Sequence, residues 1–333
     1  IIMHYLAREL AGDVKPDLVK VFGNLSNIFD GAYNIAFMNA EGDMAIIRDP
    51  YGIRPLCYGE VDGIFAVASE SMALTKIGID DIKFLQPGHM ILIENDEISI
   101  KKFAECKRKA HCFFEWVYFS NVASILDGKS VYIARCKLGK ELAKIETENV
   151  NKDDCVVVPV PDTAKAAGDS YAFELDLPCV EGLVRNRYVG RTFIEGNLRD
   201  DKVRNKYSVL TEVLKDKRVF LVDDSIVRGD TLKHIVLILK RAGAREVHVF
   251  STFPKIISPC FYGIDMATFH ELVGFRRNEE EIARILNADS VNYQTISDFC
   301  DAVGHDRLCL ACVTGKYPTP YAQALADKAR SEA

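Results

Sequence analysis

The stretch Val219 to Thr231, VFLVDDSIVRGDT, constrains this chain more than any other. Four apolar residues end in two adjacent carboxylates, Asp223 and Asp224. A polar loop, Ser225 to Thr231, carries Arg228 and Gly229, and a helix-period run begins at Leu232. The order predicts a buried strand, a loop of phosphate size and a helix N-terminus in direct succession. A helix N-terminus offers unpaired backbone N–H groups and a positive dipole end to an anion. Acids at the carboxyl end of a strand are placed to hold sugar hydroxyls or a hydrated Mg2+. One Asp in this setting would read as turn and cap chemistry. Two acids, the loop and the helix start together predict a ligand that is both a phosphate and a ribose.

The chain has 333 residues, which suits two domains better than one. Residues 1–105 read as strand-rich after two short helices (1–10 and 16–27). Alternating apolar runs at Tyr33–Met38, Met44–Arg48, Phe65–Ala68 and His89–Ile93, separated by Gly- and Pro-containing turns, predict antiparallel sheet. The basic stretch Lys101–His111 marks the boundary, so the second domain spans 106–333. There, helical patterns alternate with strand patterns: Lys129–Lys144, Val156–Val160, Asp162–Leu175, Val219–Val222, Leu232–Ala242 and Glu246–Phe250. Such alternation predicts an α/β domain with a parallel sheet flanked by helices. Glu279–Leu286 and Tyr321–Glu332 read as polar surface helices.

Other segments carry chemistry. The strand ending at Val160 runs into Pro161-Asp162-Thr163, a loop that would open on the same crevice as Asp223 and Asp224. Thr163 could cap the next helix or meet pyrophosphate and its Mg2+. Arg185 to Thr192, RNRYVGRT, is a basic stretch followed by a polar segment, 195–205. Arginines suit bidentate phosphate contacts, and a segment of this kind could close over a reactive pyrophosphate. It could equally be solvated surface. Cys309-Leu310-Ala311-Cys312 could serve as a redox pair, half a zinc site or part of an iron–sulfur site, with Cys106, Cys112 and Cys260 as further candidates. Cys57, Cys136, Cys155 and Cys179 read as small buried hydrophobes. Net charge is −6 without a dominant basic patch, which argues against nucleic acid as a partner. No apolar run reaches membrane-span length and no signal peptide opens the chain, so a cytoplasmic protein away from membranes is expected.

The Asp223-Asp224 stretch is similar to the phosphoribosyl pyrophosphate (PRPP) loop of type I phosphoribosyltransferases. Further segments extend the likeness along the chain: RDPYGIRPL (48–56), SES (69–71), FFEWVYFSNVASILDGKSVYIAR (113–135), VPVPDT (158–163), NRYVGRTFI (186–194), PCFYGIDM (259–266) and CLACVTGKYP (309–318). Together they resemble the glutamine phosphoribosylpyrophosphate amidotransferase family.

That resemblance implies a type I phosphoribosyltransferase domain preceded by the later part of an α+β glutaminase domain of the N-terminal-nucleophile type. It implies transfer of glutamine-derived ammonia to PRPP, giving 5-phosphoribosylamine and pyrophosphate at the start of purine synthesis. Asp223 and Asp224 would hold the ribose. Ser225, Ile226, Val227, Arg228, Gly229, Asp230 and Thr231 would hold the 5-phosphate, and Thr163, Asp223 and Asp224 would surround Mg2+. Arg185 and Arg191 would belong to the segment that closes over PRPP. One branch of the family holds a four-iron, four-sulfur cluster on cysteines whose settings match Cys112, Cys260, Cys309 and Cys312; zinc on the same thiols is the physical alternative. A homotetramer and feedback inhibition by purine nucleotides are implied as well.

Departures from the family pattern set further expectations. The chain starts at Ile1, inside a helical pattern and after the family's N-terminal cysteine nucleophile, so it is expected to use ammonia and not glutamine. Asp230 stands where the family has Thr, Arg185 where it has Lys, and Tyr207-Ser208 where it has Asn. These changes are expected to weaken PRPP affinity. A non-catalytic PRPP- or nucleotide-sensing module is the rival reading.

Overall fold

The computed structural model describes residues 1–12, 15–145, 150, 152–186, 206–304 and 307–333. In the first part, helices Ile2–Glu9 and Leu18–Ser26 pack on an antiparallel sheet. Its strand order is Asn34–Met38, Met44–Arg48, His89–Glu94 and Glu97–Lys102. Asp17 starts the second helix by accepting the Val19 and Lys20 N–H groups at 3.0 and 3.2 Å. Strand periodicity divides the sheet's two faces. Ala45, Ile47, Met90 and Leu92 meet Phe22 and Leu25 of the helix. Ile46 and Ile91 point the other way, to Leu56 and Leu85. A second antiparallel sheet lies beyond, in the order Ile64–Ala68, Cys57–Val61, Lys83–Phe84.

The second part is built on a parallel sheet ordered Cys155–Pro159, Arg218–Asp223, Glu246–Ser251, Ser290–Tyr293. Helices cover both faces, which is why VVV (156–158) and VFLV (219–222) are apolar without alternation. Val157, Phe220, Val222 and Phe250 pack under Tyr171 and Leu142, from helices Lys165–Glu174 and Val131–Ala143. Val158, Leu221 and Val249 face Ile235 and Leu239 of helix Asp230–Arg241 and Ile282 of helix Glu279–Leu286. The helices Val131–Ala143 and Lys165–Glu174 touch at Gly139, where a Cβ would lie 2.0 Å from the Ala167 carbonyl oxygen.

Several boundaries differ from those read in the sequence. The helix expected from Lys129 starts at Val131, because Lys129–Ser130 pair with Ile125–Leu126 and Ser130 caps the helix. The helix expected from Asp162 starts at Lys165. Strands Cys57–Val61, Glu97–Lys102 and Ser290–Tyr293, and helix Ile296–Val303, are additions. Glu279–Leu286 and Pro320–Ser331 are amphipathic, not wholly polar, burying Ile282 and Leu286 and Ala322 and Ala326 respectively. Cys179 is exposed and donates to Asp169 Oδ1 at 3.1 Å, and Cys136 is half-buried, so neither is the buried hydrophobe expected.

The two parts are joined through the RDPYGIRPL loop. The Cys112 N–H donates to the Ile53 carbonyl and the Ala110 N–H to the Tyr51 carbonyl, both at 2.9 Å. Ile53 sits in one core with Cys112, Phe113, Trp116 and Phe253. Arg48, fully buried, donates to the carbonyls of Arg54 (2.9 Å) and Leu85 (2.7 Å) and to both carboxylate oxygens of Asp127.

Candidate active site

Strands Cys155–Pro159 and Arg218–Asp223 are neighbours, with Pro159 beside Val222. Their carboxyl-end loops therefore open side by side, as the parallel arrangement requires of a ligand site. The Thr163 hydroxyl donates across the gap to Asp224 Oδ2. Ser225 Oγ donates to Asp224 Oδ1 at 2.7 Å, and the Asp224 N–H to Asp223 Oδ1 at 2.9 Å. Thr252, beyond the end of the third strand, fixes the backbone beneath: its N–H donates to the Asp223 carbonyl (3.0 Å) and its hydroxyl to that of Asp224 (3.1 Å).

No ion pair reaches Asp223 or Asp224 among the described residues. Burial, joined by the neighbouring charge of Asp224, pushes the Asp223 carboxyl well above the usual carboxylate range. Burial also raises Asp224, against hydrogen bonds from Thr163 and Ser225. Burial lowers Lys206, which stands within electrostatic reach of both acids. Adjacent carboxylates held in this way resist ionising together and favour a cation or hydroxyl donors beside them.

The loop after the acids is the segment in which the sequence places an anion cradle. Gly229, at φ +87°, turns the chain into helix Asp230–Arg241. Among the described residues, none of the backbone N–H groups from Ser225 to Thr231 donates to a protein acceptor. Ile226 is buried in one core and Val227 packs half-buried against the other, which leaves the loop's backbone turned to the crevice. The Arg228 guanidinium is tied to Glu271 and Asp265 and does not turn toward Asp230. Asp230 and Thr231 are exposed.

Arg185 ends the short strand Leu183–Arg185, paired with Tyr207–Val209. It donates to Asp162 Oδ2 at 3.0 Å, which brings it to the mouth formed by the 160–164 loop. Arg191 and the rest of the basic segment lie outside the described residues. Arg135, Lys206 and Thr252 were not singled out in the sequence. Arg135 lay in the helical segment VYIAR, where an arginine reads as solvated surface; it is in fact buried.

The second candidate centre joins the two parts of the chain. Cys309 pairs directly with Cys112 in a short parallel ladder. The Cys312 carbonyl accepts the N–H groups of Ile257 and Ser258, at 2.9 and 3.0 Å, and Cys260 Sγ accepts the Tyr262 N–H at 3.3 Å. Cys112, Cys309 and Cys312 are buried in one core, with Cys260 packed against it. Burial pushes all four thiols up, Cys309 to about 12, and the charges of the others add to the rise at Cys112, Cys309 and Cys312. Four convergent thiols of this kind match a soft metal centre in donor chemistry. As they stand, no group of three or more His, Cys, Asp or Glu among the described residues has the spacing to hold a metal ion. Cys106, half-buried in the connecting stretch, stands beside Lys109.

A parallel sheet whose carboxyl edge carries an acid pair, a loop and a helix N-terminus in succession has the form of a phosphoribosyltransferase domain. The model of the phosphoribosyl transferase domain matches residues 127–258, and that of the glutamine amidotransferase domain matches residues 14–76. The chain is 42% identical over 336 residues to the amidophosphoribosyltransferase of Methanocaldococcus jannaschii, covering 96% of this chain and 70% of that protein. It is 40% identical to the amidophosphoribosyltransferase of Bacillus subtilis, covering 89% and 63%. A solved glutamine PRPP amidotransferase from B. subtilis, complexed with ADP and GMP, superposes with a TM-score of 0.84 at 37% identity, covering 96% of this chain and 70% of that one. The chain belongs to the amidophosphoribosyltransferase family. Among the described residues no helix is long and apolar enough to cross a membrane.

Proposed function

We propose that this chain transfers ammonia to C1 of PRPP, releasing pyrophosphate and forming 5-phosphoribosylamine, the first step of purine synthesis. The observation that carries the reading is the hydrogen bond from Thr163 to Asp224. It closes two neighbouring strand-end loops around one crevice, with the N–H groups of 225–231, which meet no acceptor among the described residues, at its side. In this reading the loop holds the 5-phosphate and Asp223 and Asp224 hold the ribose hydroxyls. The nitrogen lone pair bonds to C1 as the C1–O bond to pyrophosphate breaks; that bond's electron pair leaves with pyrophosphate, and the ammonium formed gives up one proton to water to leave the amine. The developing positive charge on the ribose lies over the acid pair. Arg185 stands where a departing pyrophosphate gains a partner. Thr163, Asp223 and Asp224 would hold Mg2+, which when bound offsets the charge of pyrophosphate. All of this is positioning and electrostatics, without a covalent protein intermediate.

The test is pyrophosphate release from PRPP and Mg2+, measured anaerobically with ammonia and, separately, with glutamine. Release that requires a nitrogen donor supports transfer. Tight PRPP binding without release from either donor favours a sensing module instead.

Cys112, Cys260, Cys309 and Cys312 are proposed to hold a four-iron, four-sulfur cluster, with zinc as the alternative. Bound there, the group would pin residues 257–262 and 308–312 to the domain junction, a structural role. Iron, sulfide and zinc analysis of anaerobically purified protein separates the two. Purine nucleotides share a 5-phosphate and ribose with PRPP, so inhibition by competition at the 225–231 loop is also proposed. Exposed Tyr132, Ile133 and Phe173 lie on adjoining helices and support a homo-oligomer, which sedimentation would test.

A further inference from the structure

Arg135 is buried, and among the described residues the acceptors of its guanidinium are carbonyls, not carboxylates. Its Nε donates to the Trp116 carbonyl and its Nη2 to the Ser120 carbonyl, both at 2.8 Å. Its third contact, Nη1 to the Thr163 carbonyl at 3.5 Å, is the longest. A buried guanidinium satisfied only by carbonyls is costly unless an acid lies within reach. Asp224 and Glu70 are the acids whose charges it feels.

The carbonyls of Trp116 and Ser120 belong to the turn of helix Glu115–Phe119 and the residue after it. That turn is fixed from its other side. Glu115 Oε1 accepts from Arg54 Nη1 at 2.6 Å, and Glu115 Oε2 accepts from Ser120 Oγ at 3.0 Å. Arg54 belongs to the RDPYGIRPL loop of the first domain and also stacks on Phe119, 4.9 Å from the ring centre. The contacts form one unbroken series: Arg54, Glu115, Ser120, Arg135, Thr163, Asp224.

The geometry points to Glu115 and Arg135 as positioning residues, a polar relay through which the Arg54 loop sets where Thr163 and Asp224 stand. The inference rests on the assignment of Thr163 and Asp224 to the PRPP site. Neither Glu115 nor Arg135 touches that site with a side chain that could meet the substrate. Their effect is on the backbone of the 160–164 loop, which Arg135 reaches from behind.

The experiment is a double-mutant cycle on the whole protein, with ammonia as donor, reading KM for PRPP, kcat and melting temperature. Glu115→Gln and Arg135→Lys are each expected to raise KM for PRPP more than they lower kcat. With Arg54→Lys, each is expected to be non-additive by roughly fivefold or more, as for residues that share one hydrogen-bond network. If Arg135→Lys does not fold, Glu115→Gln and Ser120→Ala with Arg54→Lys carry the same test. Effects on KM that multiply to within about twofold would overturn the relay, as would losses that follow melting temperature alone. Asp224→Asn is measured alongside. If it leaves KM for PRPP unchanged, the site assignment itself fails; if it raises KM while the cycle is additive, only the relay fails.

Discussion

Arg48 and Asp127 form a two-pronged ion pair across 79 residues of sequence, with both N–O distances at 3.0 Å. The Arg48 side chain is wholly buried and that of Asp127 nearly so. The same guanidinium holds the Arg54 and Leu85 carbonyls, so it fastens the first domain's loop to the entrance of the second. Removing one partner takes away the charge against which the other is buried. Arg48→Ala or Asp127→Ala should cost about 3–5 kcal/mol of stability. Denaturant unfolding of both single variants and the double variant checks this. The double variant should be less unstable than the sum of the two singles.

Asp223→Ala and Asp224→Ala should each abolish PRPP binding if, as proposed, that pair holds the ribose and the cation. Thr163→Val is a finer probe. It keeps the shape and removes the hydroxyl that Asp224 Oδ2 accepts from. Leaving a buried acceptor unmet costs roughly 1–3 kcal/mol, which corresponds to a rise in KM for PRPP on the order of tenfold. Isothermal titration with PRPP and Mg2+, followed by steady-state kinetics, reads both. Full PRPP affinity in the Asp224→Ala protein would remove this crevice as the substrate site.

Gly229→Ala tests the anion cradle through the backbone. Gly229 sits at φ +87°, and a Cβ there would come within 2.8 Å of Leu286 Cδ2, a fully buried side chain. The conformational cost alone is roughly 1–2 kcal/mol. The chain relieves it by shifting the loop proposed to hold the 5-phosphate. The expected outcome is a lower melting temperature together with a higher KM for PRPP. Asp230→Thr, an exposed change, should instead tighten PRPP binding without altering stability, since it removes a negative charge beside the phosphate.

The sequence displayed this crevice well because its parts are local. VFLVDD must be a strand, for four apolar residues beside a turn have few alternatives, and the loop and helix start follow within seven residues. Thr163 was legible for the same reason, as the end of a second apolar run. What stayed hidden was non-local. Glu97–Lys102 is an exposed edge strand whose lysines and glutamate mask its alternation. Cys57–Val61 carries Gly59, which is there because any Cβ would strike Ile79 Cγ2 at 2.4 Å. Arg135 reads as an ordinary helix arginine until Trp116 and Ser120 fold over it. The ion-pair partners of Arg228, Glu271 and Asp265, lie more than thirty residues downstream and were not readable from the loop itself.

Asp49 gives the domain junction a pH dependence of defined sign. Its carboxylate accepts the backbone N–H groups of Tyr51 at 2.9 Å and Ile53 at 3.1 Å, beside Arg48. These favour the charged form, but burial outweighs them and pushes the carboxyl up to about 7 from its ordinary 3.8. The folded protein therefore holds this proton more tightly than the unfolded chain. The resulting stabilisation is complete below about pH 4 and fades as pH rises through about 7, where the native group must ionise in place. Asp49→Asn cannot titrate and still offers an oxygen to the two N–H groups. Its stability should therefore decline less between pH 4 and 7 than that of the wild type. Urea unfolding at half-unit intervals across that range measures the difference. Parallel curves for the two proteins would mean that Asp49 is already ionised in the fold and that Arg48 and the N–H groups, not burial, set its state.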